Sequence, residues 1–188
     1  MKVLVTGATG FIGNYVINEL LKHKFQIIAT ARSNPILEKS NWLGKVQFIK
    51  CDLNSKIDFF NYFHNPDAVI HLAWEGLPNY KEAFHIEKNL PNNFYFLNDL
   101  IKSGLNNLTV TGTCLEYGLL NGSLDESMPA KPHIPYSIAK DTLRKYLEQL
   151  ESQFAFKMKW LRLFYTYGNG QNENSIFSQL DRAIINND

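Results

Sequence analysis

The stretch Val3–Gly13, VLVTGATGFIG, limits the fold more than any other part of the chain. Lys2–Thr6 is a short apolar run of the kind that forms a central parallel strand buried on both faces. Behind the glycines, Phe11, Tyr15, Val16, Leu20 and Leu21 recur at helical spacing and predict a helix from about 11 to 23. Between strand and helix stand Gly7, Gly10 and Gly13, spaced G-x-x-G-x-x-G. Gly7 can take a turn conformation closed to other residues. Gly10 lets backbone come close to a ligand, and Gly13 lets the helix pack tightly on the strand. The N–H groups that open a helix have no partners within it, and the helix dipole favours negative charge there. Strand, glycine turn and helix in this order predict a cradle for a dinucleotide pyrophosphate.

The same alternation continues along the chain. Further strands are expected at Gln26–Ala31, Val46–Ile49, Asp67–His71, Leu108–Thr111 and Lys159–Phe164. Helical patterning falls at about 57–63, 81–103, 136–153 and Ile176–Ile185, with Gly104 as a stop and Pro132 and Pro135 ahead of the fourth helix. Strands alternating with helices imply right-handed crossovers and a parallel sheet. The expected fold is α/β, a Rossmann-like doubly wound parallel sheet with helices on both faces in three layers. At 188 residues without repeat, low-complexity tract or linker, one NAD(P)-binding domain over 1–188 is expected.

Net charge is +1, so composition argues for no nucleic-acid and no membrane-surface partner. No apolar run approaches a membrane span, and the N-terminus reads as a strand rather than a leader. Cys51 and Cys114 lie among apolar segments and are expected buried and reduced, in a cytoplasmic protein. No metal site is expected.

The end of the second strand normally decides which nicotinamide cofactor binds. An acidic side chain there favours NAD, and an arginine accommodates the 2′-phosphate of NADP. Here the strand ends Thr30-Ala31-Arg32-Ser33. Arg32 can pair with a phosphate and Ser33 can add a hydrogen bond, so NADP is favoured over NAD.

Further stretches line up with one family. GATGFIG at 7–13, Cys51-Asp52-Leu53, His71-Leu72-Ala73, Asn89, TGTCLEYG at 111–118, Tyr136-Ser-Ile-Ala-Lys140 and RLFYTYG at 162–168 follow one another in the family's order and spacing. By these the chain resembles the extended short-chain dehydrogenase/reductase family, and within it the nucleotide-sugar epimerases, dehydratases and reductases. The resemblance implies that Thr9, Phe11 and Ile12 join the three glycines at the cofactor. Asp52 and Leu53 would lie against the adenine, and Leu72 and Ala73 would line the groove. It makes Thr113, Tyr136 and Lys140 the catalytic set, with Asn89 organising the backbone behind them. It also implies a homodimer through the helices at about 81–103 and 136–153. The family's C-terminal substrate-binding lobe is expected to be largely absent from this chain.

Tyrosine and lysine at i and i+4 share a helix face. A tyrosine with a pKa near ~10 is a poor base at neutral pH. A cation at ~4 Å, with an effective dielectric of ~20, favours the phenolate by ~4 kcal/mol. That is on the order of three pKa units before offsetting costs, so Tyr136 is expected near working pH. Thr113 would steady the reacting sugar oxygen. Pro91 cannot donate to the carbonyl of Glu87, which predicts a kink or bulge near Asn89.

Departures from the family pattern narrow the chemistry. Where its dehydratases carry an Asp-Glu pair after the catalytic threonine, this chain has Cys114 and Leu115. These cannot act as an acid–base pair, so dehydration is rejected. Glu116, if strand-like, points away from Leu115 and is not a substitute acid. Tyr165 and Asn169 stand where the family often has Asn and Pro. Trp74 follows His-Leu-Ala as either a wall of the sugar site or core packing. The first expectation is 4-keto reduction of a nucleotide-diphosphate sugar by hydride from NADPH, with Tyr136 as proton donor. A 4-epimerase with tightly bound NAD is the alternative, and a dinucleotide-binding module or truncated inactive form is a third.

Overall fold

The computed structural model describes residues 1–35 and 40–186. Six strands, β1 (Lys2–Thr6), β2 (Gln26–Ala31), β3 (Gln47–Lys50), β4 (Ala68–His71), β5 (Asn107–Thr113) and β6 (Lys157–Leu163), form one sheet in the order β3-β2-β1-β4-β5-β6. Every pairing is parallel. This is the doubly wound Rossmann order, which turns back on itself between β1 and β4. Ligands in such sheets bind at that reversal, beyond the carboxyl ends of the strands.

The helices are α1 (Phe11–Lys22), a single turn α2 (Phe59–Tyr62), α3 (Leu90–Lys102), α4 (Pro135–Glu151) and α5 (Ile176–Asn186). Alternate residues of β1 feed opposite faces of the sheet. Val3 and Val5 join Ile17 of α1, Ile27, Ala29 and Trp42 on one side. Leu4 joins Val69, Phe96 and Leu100 of α3 and Leu143 and Leu147 of α4 on the other. Each such side chain contributes about 1.5–3 kcal/mol by leaving water. Trp42 is fully buried and its indole N–H donates to Asn14 Oδ1 at 2.6 Å, which ties the segment after β2 to α1.

Three departures from the sequence reading bear on the site. The helix expected at about 81–103 is divided, with a π-turn at His85–Asn89 ahead of α3. Pro91 supplies no N–H to Glu87, so the backbone widens there, where the missing donor placed the bulge. Strand β5 runs on to Thr113 and then tightens into a 3₁₀ turn, Cys114–Tyr117, so Glu116 is not strand-like. Cys51 is buried as expected, but Cys114 is only partly so.

Helix α5 buries none of its residues and leaves Ile176, Leu180, Ile184 and Ile185 more than half exposed. Among the described residues, no helix is long and apolar enough to cross a membrane. Among the same residues, no cluster of His, Cys, Asp and Glu could hold a metal ion.

Candidate active site

The glycine turn is built as its spacing requires. Gly7 has φ +66°, and a Cβ on it would lie 2.9 Å from the Ala73 nitrogen. A Cβ on Gly13 would lie 2.7 Å from the Ala8 carbonyl oxygen and closer still to that of Gly7. At Gly10 a Cβ would meet only the Gly7 oxygen, at 3.2 Å, so this glycine keeps its face open. A cavity of about 380 Å³ lies over the turn. Gly7, Thr9 and Gly10 line it at the turn, and Arg32, Ser33, Asp52, Leu53, Leu72 and Ala73 line the rest. Asn89 reaches it from the π-turn. A cleft with a glycine turn at a helix start fits a dinucleotide.

Phe11, Ile12 and Gly13 do not line this cavity. The Phe11 ring packs edge-on against Tyr15, with centroids 5.4 Å apart, and lines neither this cavity nor the next. Gly13 serves packing rather than lining. Ile12 faces a second cavity of about 650 Å³, shared with Thr113, Tyr136 and Lys140. Asp52 Oδ1 accepts from the Asn54 N–H at 3.0 Å, so it caps a turn while lining the groove.

The β1–β4 reversal is fixed by a buried histidine. His71 Nε2 donates to Asn93 Oδ1 at 2.5 Å, and Nδ1 accepts from the Thr6 hydroxyl at 2.9 Å. That hydroxyl oxygen in turn accepts from the Leu72 and Ala73 N–H groups, both at 3.2 Å. Burial, reinforced by the Lys140 charge, holds the His71 pKa down at about 3, so the ring is neutral.

Thr113, Tyr136 and Lys140 converge on the second cavity. Proline at the first position of α4, with Ile134 extended before it, sets Tyr136 in the first turn and Lys140 one turn later. Both side chains are buried. The Lys140 ammonium donates to the Thr111 carbonyl at 2.7 Å and lies 4.0 Å from the centroid of the Trp74 ring. Burial pulls its pKa down to about 7, opposed by Glu116.

The Tyr136 expectation needs correcting. Burial, with a further contribution from Tyr80, pushes its phenol well above the ordinary tyrosine range, opposed by a hydrogen bond with Thr113. Desolvation outweighs any pull from Lys140, whose ammonium is turned to Thr111 and Trp74. The phenol is therefore held protonated.

Trp74 both packs on the core and lines the two cavities. Its N–H donates to His85 Nδ1 at 3.0 Å, as does the Asn89 amide at 3.2 Å, and His85 Nε2 donates to the Asn79 carbonyl at 3.0 Å. The Asn89 amide also donates to the Glu75 carbonyl at 2.9 Å. Asn89 thus links the π-turn to the backbone that follows β4.

Two acidic residues have roles that the sequence did not reveal. Glu116 is fully buried. Its Oε1 accepts from the Thr113 N–H at 2.8 Å, its Oε2 from Arg162 Nε at 3.0 Å, and both oxygens take the Trp160 N–H at 3.1 Å. With the Thr113 hydroxyl accepting from the Leu115 N–H at 3.3 Å, this is a capping box. The pattern T-x-x-E at 113–116 was its available signal. Glu75 is the other: its Oε1 pairs with Arg32 Nη1 at 2.9 Å and its Oε2 with Lys88 Nζ at 3.2 Å. No local pattern announces that contact.

The model of the NAD dependent epimerase/dehydratase family matches residues 3–187. The dTDP-6-deoxy-L-talose 4-dehydrogenase (NAD(+)) of Aggregatibacter actinomycetemcomitans is 30% identical over 97% of this chain and 68% of its own. A protein of Bacillus subtilis (strain 168), named as an uncharacterized UDP-glucose epimerase, is 26% identical over 96% of this chain and 61% of its own. Among solved structures, MoeE5 in complex with UDP-glucuronic acid and NAD superposes with a TM-score of 0.82 at 26% identity, covering 97% of this chain and 61% of that one. The chain thus spans roughly three fifths to two thirds of the length of these proteins.

Proposed function

The chain belongs to the NAD-dependent epimerase/dehydratase family, and from that premise we propose that it is an oxidoreductase acting on a nucleotide-diphosphate sugar, with 4-keto reduction as its reaction. The convergence of Thr113, a protonated Tyr136 and Lys140 on one cavity, beside a groove that fits a dinucleotide, carries this reading. A reduced nicotinamide cofactor held in the groove lined by Gly7, Thr9 and Gly10 would supply the hydride. The residues of the chain handle the proton. Reduction of a keto group needs a proton delivered to the oxygen, and Tyr136, protonated at neutral pH and lining the same cavity as Thr113, is placed to give it. The Thr113 hydroxyl accepts from the Leu115 N–H and is hydrogen-bonded to the Tyr136 phenol, so the two hydroxyls stand together where a sugar oxygen would be met. Lys140 holds charge beside them and is the residue to engage the nicotinamide ribose. The A. actinomycetemcomitans relative, by its name, oxidises position 4 of a 6-deoxy sugar on a nucleotide carrier, which is the same chemistry in reverse.

Dehydration is set aside on the residues. Cys114 and Leu115 offer no acid–base pair, and both Glu116 oxygens are bound inside the fold. Arg32 supports NADP as the cofactor, but its contact with Glu75 bears on that choice. The second reading is 4-epimerisation with bound NAD, supported by the name of the B. subtilis relative. A homodimer through α3 and α4 is the proposed assembly.

The test is incubation with NADH or NADPH and a panel of nucleotide-linked 4-keto-6-deoxy sugars, following loss of the reduced cofactor's absorbance. Oxidation of the cofactor, lost in Tyr136→Phe, supports reduction. Turnover of UDP-hexoses without added reductant moves the reading to epimerase. Cofactor binding with neither activity identifies a binding module.

A further inference from the structure

Arg32 follows β2 and Glu75 lies four residues beyond β4, the strands that flank β1 on either side. Their ion pair, Nη1 to Oε1 at 2.9 Å, therefore passes over the carboxyl end of β1, where the glycine turn begins. Both residues line the groove. Glu75 is held at three points. Asn89 donates to its carbonyl, and Arg32 and Lys88 take one carboxylate oxygen each. These cations keep its carboxyl below the ordinary range, so it is ionised at neutral pH.

From this geometry we infer that Glu75 sets the cofactor preference, reserving Arg32 and so biasing the groove toward NAD over NADP. The inference rests on the proposed reading of this groove as a dinucleotide site. The two cofactors differ by the phosphate on the adenosine ribose 2′-oxygen, and an arginine at the end of the second strand is the residue that accommodates it. A guanidinium already paired with a carboxylate must give up that partner before it can take the phosphate. The displaced carboxylate then remains beside a dianion, and like charges at close range repel. A 2′-hydroxyl brings no charge and meets neither cost. NAD sites commonly carry an acidic residue at the end of the second strand. That residue is absent here, and Glu75 brings a carboxylate to the same rim from across the groove.

The test is titration of the full chain with NAD⁺ and with NADP⁺ by calorimetry, for wild type, Glu75→Gln and Glu75→Gln/Arg32→Gln. Far-UV circular dichroism and thermal melting check the folding of each. Wild type is expected to bind NAD⁺ more tightly. In Glu75→Gln the ratio of NADP⁺ to NAD⁺ dissociation constants falls about tenfold, the order expected for removing one like charge at close range. Adding Arg32→Gln cancels the gain, and raising the salt shrinks it. An unchanged ratio in Glu75→Gln, or a gain that survives loss of Arg32, overturns the inference and leaves the dinucleotide reading standing. So does a wild type that already prefers NADP⁺. If wild type binds neither dinucleotide, the site reading falls, and this inference with it.

Discussion

The ammonium of Lys140 lies 4.0 Å from the centroid of the Trp74 indole. An aromatic face so placed favours the charged form, as does the Thr111 carbonyl that accepts from the same nitrogen at 2.7 Å. Burial opposes both and leaves the pKa at about 7. Loss of the indole should therefore lower the Lys140 pKa further. Trp74→Leu removes about 0.5–2 kcal/mol of stabilisation from the ammonium, on the order of one pKa unit. The limb of the kcat/KM profile that reports loss of the Lys140 charge should move to lower pH by that amount. An unmoved limb would show that the ring does not act on Lys140.

Gly13→Ala sets two opposing effects against each other. In an exposed helix the change gains about 1 kcal/mol. At this position the new methyl group meets the carbonyl oxygens of Gly7 and Ala8, which are backbone and cannot turn aside. Overpacking costs about 1–3 kcal/mol, so net destabilisation is expected, with weaker dinucleotide binding as the turn shifts. Urea unfolding and NAD⁺ titration of the same preparation measure both. A variant as stable as wild type would mean that the turn opens more readily than its contacts suggest.

How much of this was legible depends on where the physical cause resides. The glycine turn could be read because strand, turn and helix are consecutive, and the π-turn because Pro91 acts on its own neighbours. The edge-on contact of Phe11 with Tyr15 is local as well, the two being one turn apart on α1. The Tyr136 proton could not be read from the Tyr–Lys spacing, because burial decides it and burial belongs to the folded molecule. Arg32 looked like a phosphate ligand because its local context was complete, while Glu75 reaches it from the segment after another strand.

Glu116 shows what a buried carboxylate does when it is not an acid catalyst. It is fully buried and accepts from Arg162, Trp160 and the Thr113 backbone. Glu116→Ala leaves those donors without a partner in a site closed to water. Removing one side of a buried ion pair costs about 3–5 kcal/mol, a large part of the ~5–15 kcal/mol that holds a domain folded. Glu116→Gln keeps the acceptor for Trp160 and should cost less. Chemical denaturation orders the three proteins, and a Glu116→Ala protein within about 1 kcal/mol of wild type would count against this role.

His71 couples stability to pH. Its pKa is about 3 in the folded protein, against 6.5 for the free side chain. Between those values the unfolded chain binds a proton at this site and the folded protein does not. Acidification therefore favours unfolding, and the stability contributed above pH 6.5 is lost as pH falls toward 3. The slope from this one group is about 1.4 kcal/mol per pH unit. His85 is shifted down for the same reason, chiefly burial, and adds to the loss. Carboxylates also titrate as the pH falls, so the informative quantity is the difference between two proteins. His71→Asn is less stable at every pH because it breaks the links to Thr6 and Asn93. Its unfolding free energy should nevertheless fall less steeply than wild type between pH 6 and 4, by about 1.4 kcal/mol per unit. Urea titrations at half-unit intervals give both slopes, and equal slopes would place the His71 proton in the folded protein as well.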